Sequence, residues 1–407
     1  MQRVIFVAPY FMDATVRFVR AVAGLDNTRV ALISVDPLTR LPPGIKARLA
    51  AHVQVADALD PAQIERAVRG AATRLDGQVD LLLGTLEQLQ IPLAIVRDRL
   101  GIAGLGERSA RNFRDKGQMK DVLLAAGLPC ARHRAVTSEA AARAFVREVG
   151  LPVVVKPAAG AAAVATFRAR DEASLAEALA ATRPREGAPV VIEEFVVGDE
   201  RSFETVSVDG EALWDSSTRY SPSPLTVIEN PWIQWTVVLP REREEPALGS
   251  FRPTAQAALR ALGMQTGISH MEWFQTPSGR SVISEVGARP PGAQIMTLNS
   301  YAHEVDFYAL WARLVVHREF TAPTRKFAVG AAYFRGAGAG RVAAVHGLSA
   351  AQQAIGHLVV EARLPQRGQA KSSSYEGEGY AIVRHPETAV VEDALRRLIS
   401  TVKVELR

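Results

Sequence analysis

Short apolar runs alternate with amphipathic stretches over the first 110 residues. The apolar runs lie at residues 3–8, 29–35 and 79–83. Each is rich in Val, Ile or Leu and has the length of a buried β-strand. Between them, apolar residues recur at helical spacing over residues 14–22 and 61–75, and Asp60 is a suitable N-cap for the second helix. Strands that alternate with helices form a parallel sheet, so the pattern predicts an N-terminal parallel α/β domain.

The pattern changes beyond residue 110. A helical stretch at residues 110–126 is followed by a long segment of strand-like runs. Residues 268–275 and 281–287 have the pattern of two strands, and the loop between them contains Gly279, which predicts a β-hairpin. The last part of the chain mixes strand signals and Gly-rich turns with a closing helix at residues 388–402. We therefore expect an α+β body followed by a β-rich C-terminal region.

Composition excludes several classes of protein. The 407 residues are 48% hydrophobic and 22% charged, as in ordinary globular proteins, so disorder is not the main state. The single cysteine, Cys130, excludes an intrachain disulfide and fits a reducing, cytoplasmic compartment. No apolar run reaches the roughly 18 residues that a membrane span needs. The arginines are dispersed rather than clustered in a basic patch, so we expect neither a membrane nor a nucleic acid as partner.

Two common nucleotide-binding fingerprints do not occur in the sequence. The turn after the first predicted strand carries no G-x-G-x-x-G, and no G-x-x-x-x-G-K-[ST] occurs anywhere. The candidate chemistry therefore lies in other groups of charged residues. Lysine is informative here, because only seven of the 48 basic residues are Lys and arginine cannot imitate its compact charge.

The strongest candidate group lies on the predicted hairpin. Glu272 precedes Glu285 by 13 residues, so the two carboxylates can face each other on neighbouring strands. Such a pair can bind Mg²⁺, which prefers oxygen ligands and usually also contacts substrate phosphates. Arg289 follows in the run Ala-Arg-Pro-Pro-Gly, where its rigid guanidinium could hold a phosphoryl group. A salt-bridged surface hairpin is the alternative, but such a hairpin does not require this continuation.

Two lysines and two further glutamates complete the set. Lys116 begins a predicted helix, where backbone N–H groups favour an anion. Lys156 ends a strand before the small-residue run 158–163, whose backbone can approach phosphates closely. Glu193 and Glu200 flank a short apolar connector that suits a purine edge and ribose hydroxyls. Taken alone, each of these patterns also fits solvated residues at the end of a strand or helix.

The order and spacing of these motifs resemble the ATP-grasp superfamily, and within it most of all the L-amino acid ligase group of carboxylate–amine ligases. The resemblance implies that the parallel α/β domain, residues 1–110, is a pre-ATP-grasp domain. It implies a two-subdomain ATP-grasp fold at residues 111–315, with a small ATP-clamping subdomain at about 150–200. Residues 316–407 would then form a C-terminal α+β region.

The resemblance also implies an activity. Enzymes of this group form an amide or peptide bond through an acyl phosphate and release ADP and phosphate. The expected cofactors are ATP and Mg²⁺ (or Mn²⁺). The expected partners are small carboxylate and amine substrates, amino acids above all, and a second copy of the chain in a homodimer.

Residue roles follow from the same resemblance. Lys116 and Lys156 match positions that contact ATP phosphates, and Glu272 and Glu285 match the metal-binding pair. Arg289 matches the residue that stabilises the acyl phosphate and the tetrahedral intermediate, which makes Arg289 and Lys156 the catalytic candidates. The positions that match adenine and ribose contacts are Glu193, Glu194, Phe195, Val196 and Glu200.

Substrate contacts are harder to assign, because acceptor pockets in this superfamily are built from variable loops. His270 shares a strand face with Glu272, so it is a candidate for contact with the carboxylate substrate. The alternative, which the sequence favours, is a histidine that is hydrogen-bonded to neighbouring protein groups and only supports the site. The irregular segment 215–240 is a candidate covering loop in which Tyr220 and Trp232 would contact substrate. An insertion whose aromatic residues pack on the core is an equal alternative.

Two positions depart from the superfamily pattern. The run 158–163 contains only one glycine, where relatives are usually rich in Gly and Ser. Gly287 stands where an Asn often supplies a further metal ligand, so the sequence leaves open whether one or two metal ions bind.

Three other functions remain open at this stage. An ATP-grasp enzyme that activates bicarbonate is one, although the surroundings of Lys371 do not match a biotinyl-lysine module. A kinase that stops at phosphoryl transfer to a hydroxyl is the second. A nucleotide-binding module without catalysis is the third, and the intact set of Glu272, Glu285 and Arg289 argues against it.

Overall fold

The computed structural model describes residues 1–158 and 165–407. The predicted phosphate-binding run 158–163 therefore lies outside the described residues from position 159 onward. In the described part of the chain, no helix combines the length and the apolar character that crossing a bilayer requires.

The N-terminal region is built on a parallel sheet. Its elements are β1 (Gln2–Val7), α1 (Asp13–Ala23), β2 (Thr28–Ser34), α2 (Pro43–Lys46), β3 (Leu49–Gln54), α3 (Pro61–Ala72), β4 (Leu81–Leu83) and α4 (Gln90–Leu100). The strand order is β3-β2-β1-β4, and β1 pairs in parallel with both neighbours. β1 is buried from Val4 to Val7, as expected for a parallel strand covered on both faces. The predicted parallel α/β architecture is confirmed, and β3 is an additional strand that the sequence pattern did not reveal.

A small antiparallel sheet follows. The elements of this part are α5 (Glu107–Arg114), α6 (Lys116–Ala125), β5 (His133–Val136), α7 (Glu139–Val149), β6 (Val153–Pro157), β7 (Phe167–Ala169), α8 (Glu172–Thr182) and β8 (Val190–Glu194). The described strands are ordered β5-β8-β6-β7, and α7 and α8 share their core. The sheet begins at His133, earlier than the predicted start of the small subdomain near residue 150.

Asp115 divides a segment that the sequence pattern predicts as one helix. Its side chain accepts hydrogen bonds from the backbone N–H groups of Gly117 and Gln118, so it is the N-cap of α6. Lys116 is therefore the first residue of a separate helix, α6.

A large antiparallel sheet forms the body of the molecule. Its part of the chain contains β9 (Asp199–Val208), β10 (Glu211–Ser221), α9 (Pro224–Glu229), β11 (Trp235–Leu239), α10 (Pro246–Leu262), β12 (Gly267–Gln275), β13 (Ser281–Gly287), α11 (Ile295–His303), α12 (Phe307–His317), β14 (Ala328–Phe334), β15 (Val342–His346), α13 (Leu348–Ile355), β16 (Val359–Arg363), β17 (Gly379–His385), α14 (Thr388–Thr401) and β18 (Lys403–Leu406). Within the described residues, the strand order of the large sheet is β13-β12-β9-β10-β11-β14-β17-β16.

Three of the C-terminal strands, β14, β17 and β16, continue the large sheet, whereas β15 and β18 pair with each other in a separate two-stranded sheet. β14 pairs with β11 on one side and with β17 on the other, so the segment 316–407 extends the sheet that carries the predicted hairpin. α14 packs on this extension through Val391, Leu395 and Leu398. The β-rich C-terminal region is therefore continuous with the body of the molecule.

Candidate active site

One large cavity brings the three sheets together. Its volume is about 750 Å³. The N-terminal region contributes Arg17 and Glu87, and the small sheet contributes Lys156 and Glu193. The body of the molecule lines the rest, from the hairpin to the segment around Tyr375. Most of the residues predicted from the sequence as site residues lie around this cavity.

The predicted carboxylate pair lies on the hairpin β12–β13. Glu272 and Glu285 are directly opposite each other in the antiparallel register, and both line the cavity. Lys116, at the start of α6, donates to Glu285 over 2.5 Å. Burial alone would raise the pKa of Glu285, but Lys116 and Lys156 outweigh it and lower the pKa to about 2. The carboxylate is therefore fully ionised at neutral pH.

A second charged group lies at the junction of α6 with the small sheet. Lys156 on β6 contacts Glu193 on the adjacent strand β8, with Nζ 2.6 Å from Oε1. Lys120 contacts the other carboxylate oxygen at 3.1 Å. Burial would raise the pKa of Glu193, but the two lysines outweigh it and lower the pKa to about 2. Burial would lower the pKa of Lys156, but Glu193 and Glu285 outweigh it and raise the pKa. Glu193 and Lys156 are therefore both charged at neutral pH.

Sequence reasoning missed Lys120. It lies four residues after Lys116, on the same face of α6, and its side chain is 1% exposed. Three of the seven lysines of the chain thus line one cavity. The i,i+4 spacing and the rarity of lysine were the signals that could have revealed it.

Glu200 brings a further negative charge to the same place. It is the second residue of β9, where it is opposite Phe274 on the neighbouring strand β12, and it lines the cavity. Burial, and then repulsion from Glu272, raises its pKa well above the ordinary value. Such repulsion between carboxylates is relieved when a cation binds among them.

This acidic group fits a divalent cation that completes its shell with other ligands. Among the described residues, no set of three or more His, Cys, Asp or Glu side chains is arranged to hold a metal ion by itself. Mg²⁺ commonly binds through one or two carboxylates together with substrate phosphates and water. Glu272 and Glu285, flanked by lysines, match that donor set.

The connector between β8 and β9 lies along the cavity wall. Glu194, Phe195 and Val196 all line the cavity. The carboxylate of Glu194 is held by Arg132, and the backbone N–H of Phe195 donates to Pro152 over 3.2 Å. The connector is thus anchored by protein contacts at Glu194 and Phe195, and the predicted adenine and ribose roles of these residues stay predictions.

His270 lies beneath Glu272. Its Nδ1 is 2.8 Å from Glu204 and its Nε2 is 3.8 Å from Glu272. Burial would lower the pKa of His270, but its two carboxylate neighbours raise it to about 9. The imidazolium therefore lies between two carboxylates and neutralises part of their charge at this point of the cavity wall.

Arg289 lies in the loop after β13 and lines the cavity. Its Nε forms an ion pair with Glu87, which begins the 3₁₀ turn Glu87–Leu89 of the N-terminal region. Its Nη1 donates to the carbonyl of Pro290 over 2.9 Å. Burial would lower the pKa of Arg289, but Glu87 and Glu285 raise it, so the guanidinium is charged and held in one orientation. Glu87 was not predicted from the sequence.

The two aromatic candidates for substrate contact differ. Tyr220 lines the cavity at the end of β10. Trp232 lies in the turn between α9 and β11, outside the cavity lining and 57% exposed, so the structure does not bring it together with the other predicted site residues. Trp235 begins β11 and lines the cavity instead. Exposed turn residues and inward strand residues cannot be told apart when strand boundaries are uncertain.

Segment 374–376 and the loop before α11 line the part of the cavity beyond Arg289. The segment around Tyr375 and Glu376 faces the loop that leads into α11. In this loop Ala293 and Gln294 both have positive φ, at 48° and 55°, a conformation that costs non-glycine residues energy and clusters at functional sites. No sequence motif pointed to this wall, because segment 374–376 lies in an irregular stretch far from the hairpin.

Comparison with known proteins agrees with this arrangement. Residues 114–217 match the model of the ATP-grasp (A) domain of phosphoribosylglycinamide synthetase. The structure of an L-amino acid ligase from Bacillus licheniformis covers 100% of this chain and 99% of its own, with a TM-score of 0.78 and 18% identity. This chain has the ATP-grasp fold. The resemblance to the ATP-grasp superfamily, which was predicted from the sequence, is therefore confirmed for the fold.

Two further comparisons extend the likeness. N5-carboxyaminoimidazole synthetase from Staphylococcus aureus, solved with ADP, superposes with a TM-score of 0.73 at 11% identity, covering 98% of this chain and 97% of its own. The L-arginine-specific L-amino acid ligase of Bacillus subtilis is 24% identical over 249 residues, which are 60% of this chain and 59% of that ligase. The chain spans about half the length of the curated relatives that it matches.

Proposed function

We propose that this protein is an ATP-dependent carboxylate–amine ligase that joins two small molecules, amino acids among them, and releases ADP and phosphate. The observation that carries the proposal is the charge arrangement around Glu285. This carboxylate lies opposite Glu272, contacts Lys116, and interacts electrostatically with Lys156 and Arg289 in one cavity. The arrangement suits a nucleoside triphosphate and a carboxylate that must react while both are negatively charged.

Phosphoryl transfer requires positioning and charge neutralisation rather than a covalent protein intermediate. We infer that Lys116 and Lys156 release part of their ion pairing with glutamates when they bind the β- and γ-phosphates. Glu272 and Glu285 would hold Mg²⁺, which neutralises phosphate charge when bound. The connector Glu194–Val196 would contact the adenine, and Glu193 and Glu200 the nucleoside, as the ATP-grasp resemblance implies.

The first step forms an acyl phosphate. A carboxylate oxygen of the substrate attacks the γ-phosphorus, the bond between that phosphorus and the β,γ-bridging oxygen breaks, and ADP leaves. Arg289 has the position and the charge to orient the substrate carboxylate during the attack. Its bonds to Glu87 and Pro290 fix the guanidinium beforehand, so little reorganisation is needed when charge develops.

The second step forms the amide. The nitrogen of a neutral amine attacks the carbonyl carbon and loses one proton to solvent, and the bond between that carbon and the phosphate oxygen breaks. Phosphate leaves with the oxygen that came from the carboxylate. Arg289 would stabilise the oxyanion of the tetrahedral intermediate. The cavity walls formed by the N-terminal region, the small sheet and segment 374–376 would limit access of water, which otherwise hydrolyses the acyl phosphate.

The test is ADP release from Mg²⁺-ATP against a matrix of amino acids, offered singly and in pairs. The matched control is Glu285→Gln, which keeps the shape of the side chain and removes the charge opposite Glu272. We expect release only with particular pairs, together with an amide product, and no release in the control. Release with one hydroxyl compound alone would indicate a kinase, and release that requires bicarbonate would indicate a carboxylase. ATP binding without release under any condition would contradict catalysis.

A further inference from the structure

Glu376 is a partly buried carboxylate on the cavity wall beyond Arg289. Its Oε2 accepts a hydrogen bond from the side-chain amide of Gln294 over 3.3 Å. In the described chain, no Lys, Arg or His forms an ion pair with Glu376, although most other acidic residues around the cavity have one. Arg363 acts on Glu376 electrostatically, but its guanidinium forms an ion pair with Asp13 at 2.8 Å.

The orientation of Gln294 is fixed by a chain of hydrogen bonds. Thr297 donates to Oε1 of Gln294 over 3.2 Å, and Arg17 donates to the hydroxyl of Thr297 over 3.3 Å. The amide nitrogen of Gln294 is therefore the end that points to Glu376. The hydrogen bonds that reach Glu376 thus come from neutral amides, and no ion pair among the described residues neutralises its charge. Burial raises the pKa of Glu376, as expected for such a group.

Aromatic side chains adjoin this carboxylate. Tyr375 and Trp235 line the same part of the cavity, with ring centroids 5.6 Å apart, and the indole N–H of Trp235 donates to the carbonyl of Tyr375 over 2.8 Å. Tyr220 packs against Trp235 at 6.0 Å. Trp235 is itself buried and stacked on Tyr333, with ring centroids 4.7 Å apart, so it supports the rings of Tyr375 and Tyr220, which are only partly buried. Partly exposed aromatic rings and a carboxylate without an ion pair favour an ammonium or guanidinium group, because both kinds of contact attract a cation.

Glu376 has different charged and hydrogen-bonding partners from the residues that the proposed reaction uses. The electrostatic neighbours of Tyr375 include Arg289 and Glu272, whereas those of Glu376 are Gln294, the backbone at Ala293, and Arg363. Glu376 is hydrogen-bonded to Gln294, and it forms no ion pair with Arg289 among the described residues. Its contacts therefore differ from those of the residues assigned to phosphoryl transfer.

We propose that Glu376, with the adjacent aromatic rings, binds a positively charged side-chain group of one substrate and so selects basic amino acids. The proposal rests on the proposed ligase function for its biological meaning, but the binding site itself does not depend on turnover. Glu376 is thus a specificity residue, distinct from the residues assigned to phosphoryl transfer.

The test compares two pairs of ligands that differ in charge: arginine with citrulline, and lysine with norleucine. Binding to the full chain, saturated with Mg²⁺ and a non-hydrolysable ATP analogue, is measured by calorimetry, and ADP release is measured in parallel. We expect the wild type to bind the charged member of each pair more tightly. In Glu376→Gln this preference should fall by roughly 10- to 100-fold, with citrulline affinity unchanged.

Three controls make the result specific. Glu376→Asp keeps the charge and should retain part of the preference, and Glu376→Lys should shift it toward glutamate. Glu211→Gln changes an exposed carboxylate at the start of β10 and should bind like the wild type. Equal affinity for arginine and citrulline in the wild type, binding of neither, or an equal loss of both in Glu376→Gln would overturn the proposal. Charge-selective binding without ADP release would contradict the ligase function and leave the specificity site standing.

Discussion

Glu87 and Arg289 form an ion pair although 202 residues separate them in the sequence. The carboxylate belongs to the parallel-sheet region and the guanidinium to the loop after the carboxylate hairpin, so the contact joins two parts of the molecule at the cavity. Glu87 is 8% exposed and also lies 3.8 Å from Arg114. The N-terminal region therefore contributes directly to the geometry of the proposed catalytic arginine.

Glu87→Gln should lower kcat by about tenfold and change the Kd for ATP by less than about twofold, because it weakens the bond that orients Arg289 and leaves the lysines intact. Stopped-time assays of ADP release and calorimetric ATP binding measure the two quantities. Glu87→Asp should recover part of the kcat. Glu65→Gln, which alters exposed ion pairs on α3, is the matched control. An unchanged kcat would contradict the positioning role.

Arg289→Ala should lose about 10²- to 10³-fold in kcat while it still binds ATP, because the guanidinium acts on the acyl phosphate and the oxyanion. Arg289→Lys should recover little of this loss, since a lysine cannot reproduce the fork that contacts both Glu87 and Pro290. Arg318→Ala removes an exposed ion pair with Asp209 and serves as control. Turnover near the wild-type value in Arg289→Ala would refute the assignment.

Glu272→Gln should raise the Mg²⁺ concentration for half-maximal ADP release by at least about tenfold, because one of two carboxylate ligands loses its charge. Titration of Mg²⁺ at fixed total ATP measures the shift, and binding of Mn²⁺ to the nucleotide complex, followed by electron paramagnetic resonance, gives a readout independent of turnover. Glu186→Gln, at an exposed position, should behave like the wild type. The same Mg²⁺ dependence in all three proteins would mean that Glu272 is not a ligand.

His303 makes stability depend on pH in a defined direction. The ring is 2% exposed, Nδ1 donates to the carbonyl of Asn299 over 2.8 Å, and burial lowers its pKa to about 4. The unfolded chain binds a proton at this residue below about pH 6.5, whereas the folded chain does so only near pH 4. The neutral ring therefore stabilises the folded state above that window, and the contribution is lost as the pH falls through it.

The variant His303→Phe should isolate this effect. The difference in free energy of unfolding, variant minus wild type, should be more favourable at pH 4.5 than at about pH 7.5 by roughly 2–3 kcal/mol. The reason is that the wild type loses the contribution of His303 as the pH falls, whereas phenylalanine does not titrate. Urea unfolding at the two pH values measures the difference. A constant difference between wild type and variant would show that His303 has the same pKa in both states.

Local sequence signals were sufficient for part of this structure. The hairpin that carries Glu272 and Glu285 could be predicted because alternating strands and a Gly-containing turn are local features, and the parallel N-terminal sheet followed from the alternation of strands and helices. Lys116 could be placed at a helix start, although the cap at Asp115 was needed to separate α6 from α5.

The contacts that depend on tertiary structure could not be predicted. Glu87 lies in a short 3₁₀ turn and Glu376 in an irregular segment, and only the packing of the N-terminal region and of the C-terminal strands brings them to the cavity. Trp232 and Trp235 differ by three positions, so a small error in the start of β11 exchanges an exposed turn residue for a cavity residue. Half-exposed edge strands such as β3 have mixed burial and no clear alternation, which hides them from pattern analysis.

The central claim is that the substrate carboxylate, rather than water, attacks the γ-phosphate. The most direct measurement uses an amino acid whose carboxylate is labelled with ¹⁸O, in a pair that supports ADP release, and determines the isotope content of the released phosphate by mass spectrometry. The proposed reaction transfers one carboxylate oxygen to each phosphate, so one ¹⁸O atom per phosphate is expected. Phosphate that carries no label would show that ATP is hydrolysed by water and would contradict the acyl-phosphate ligase.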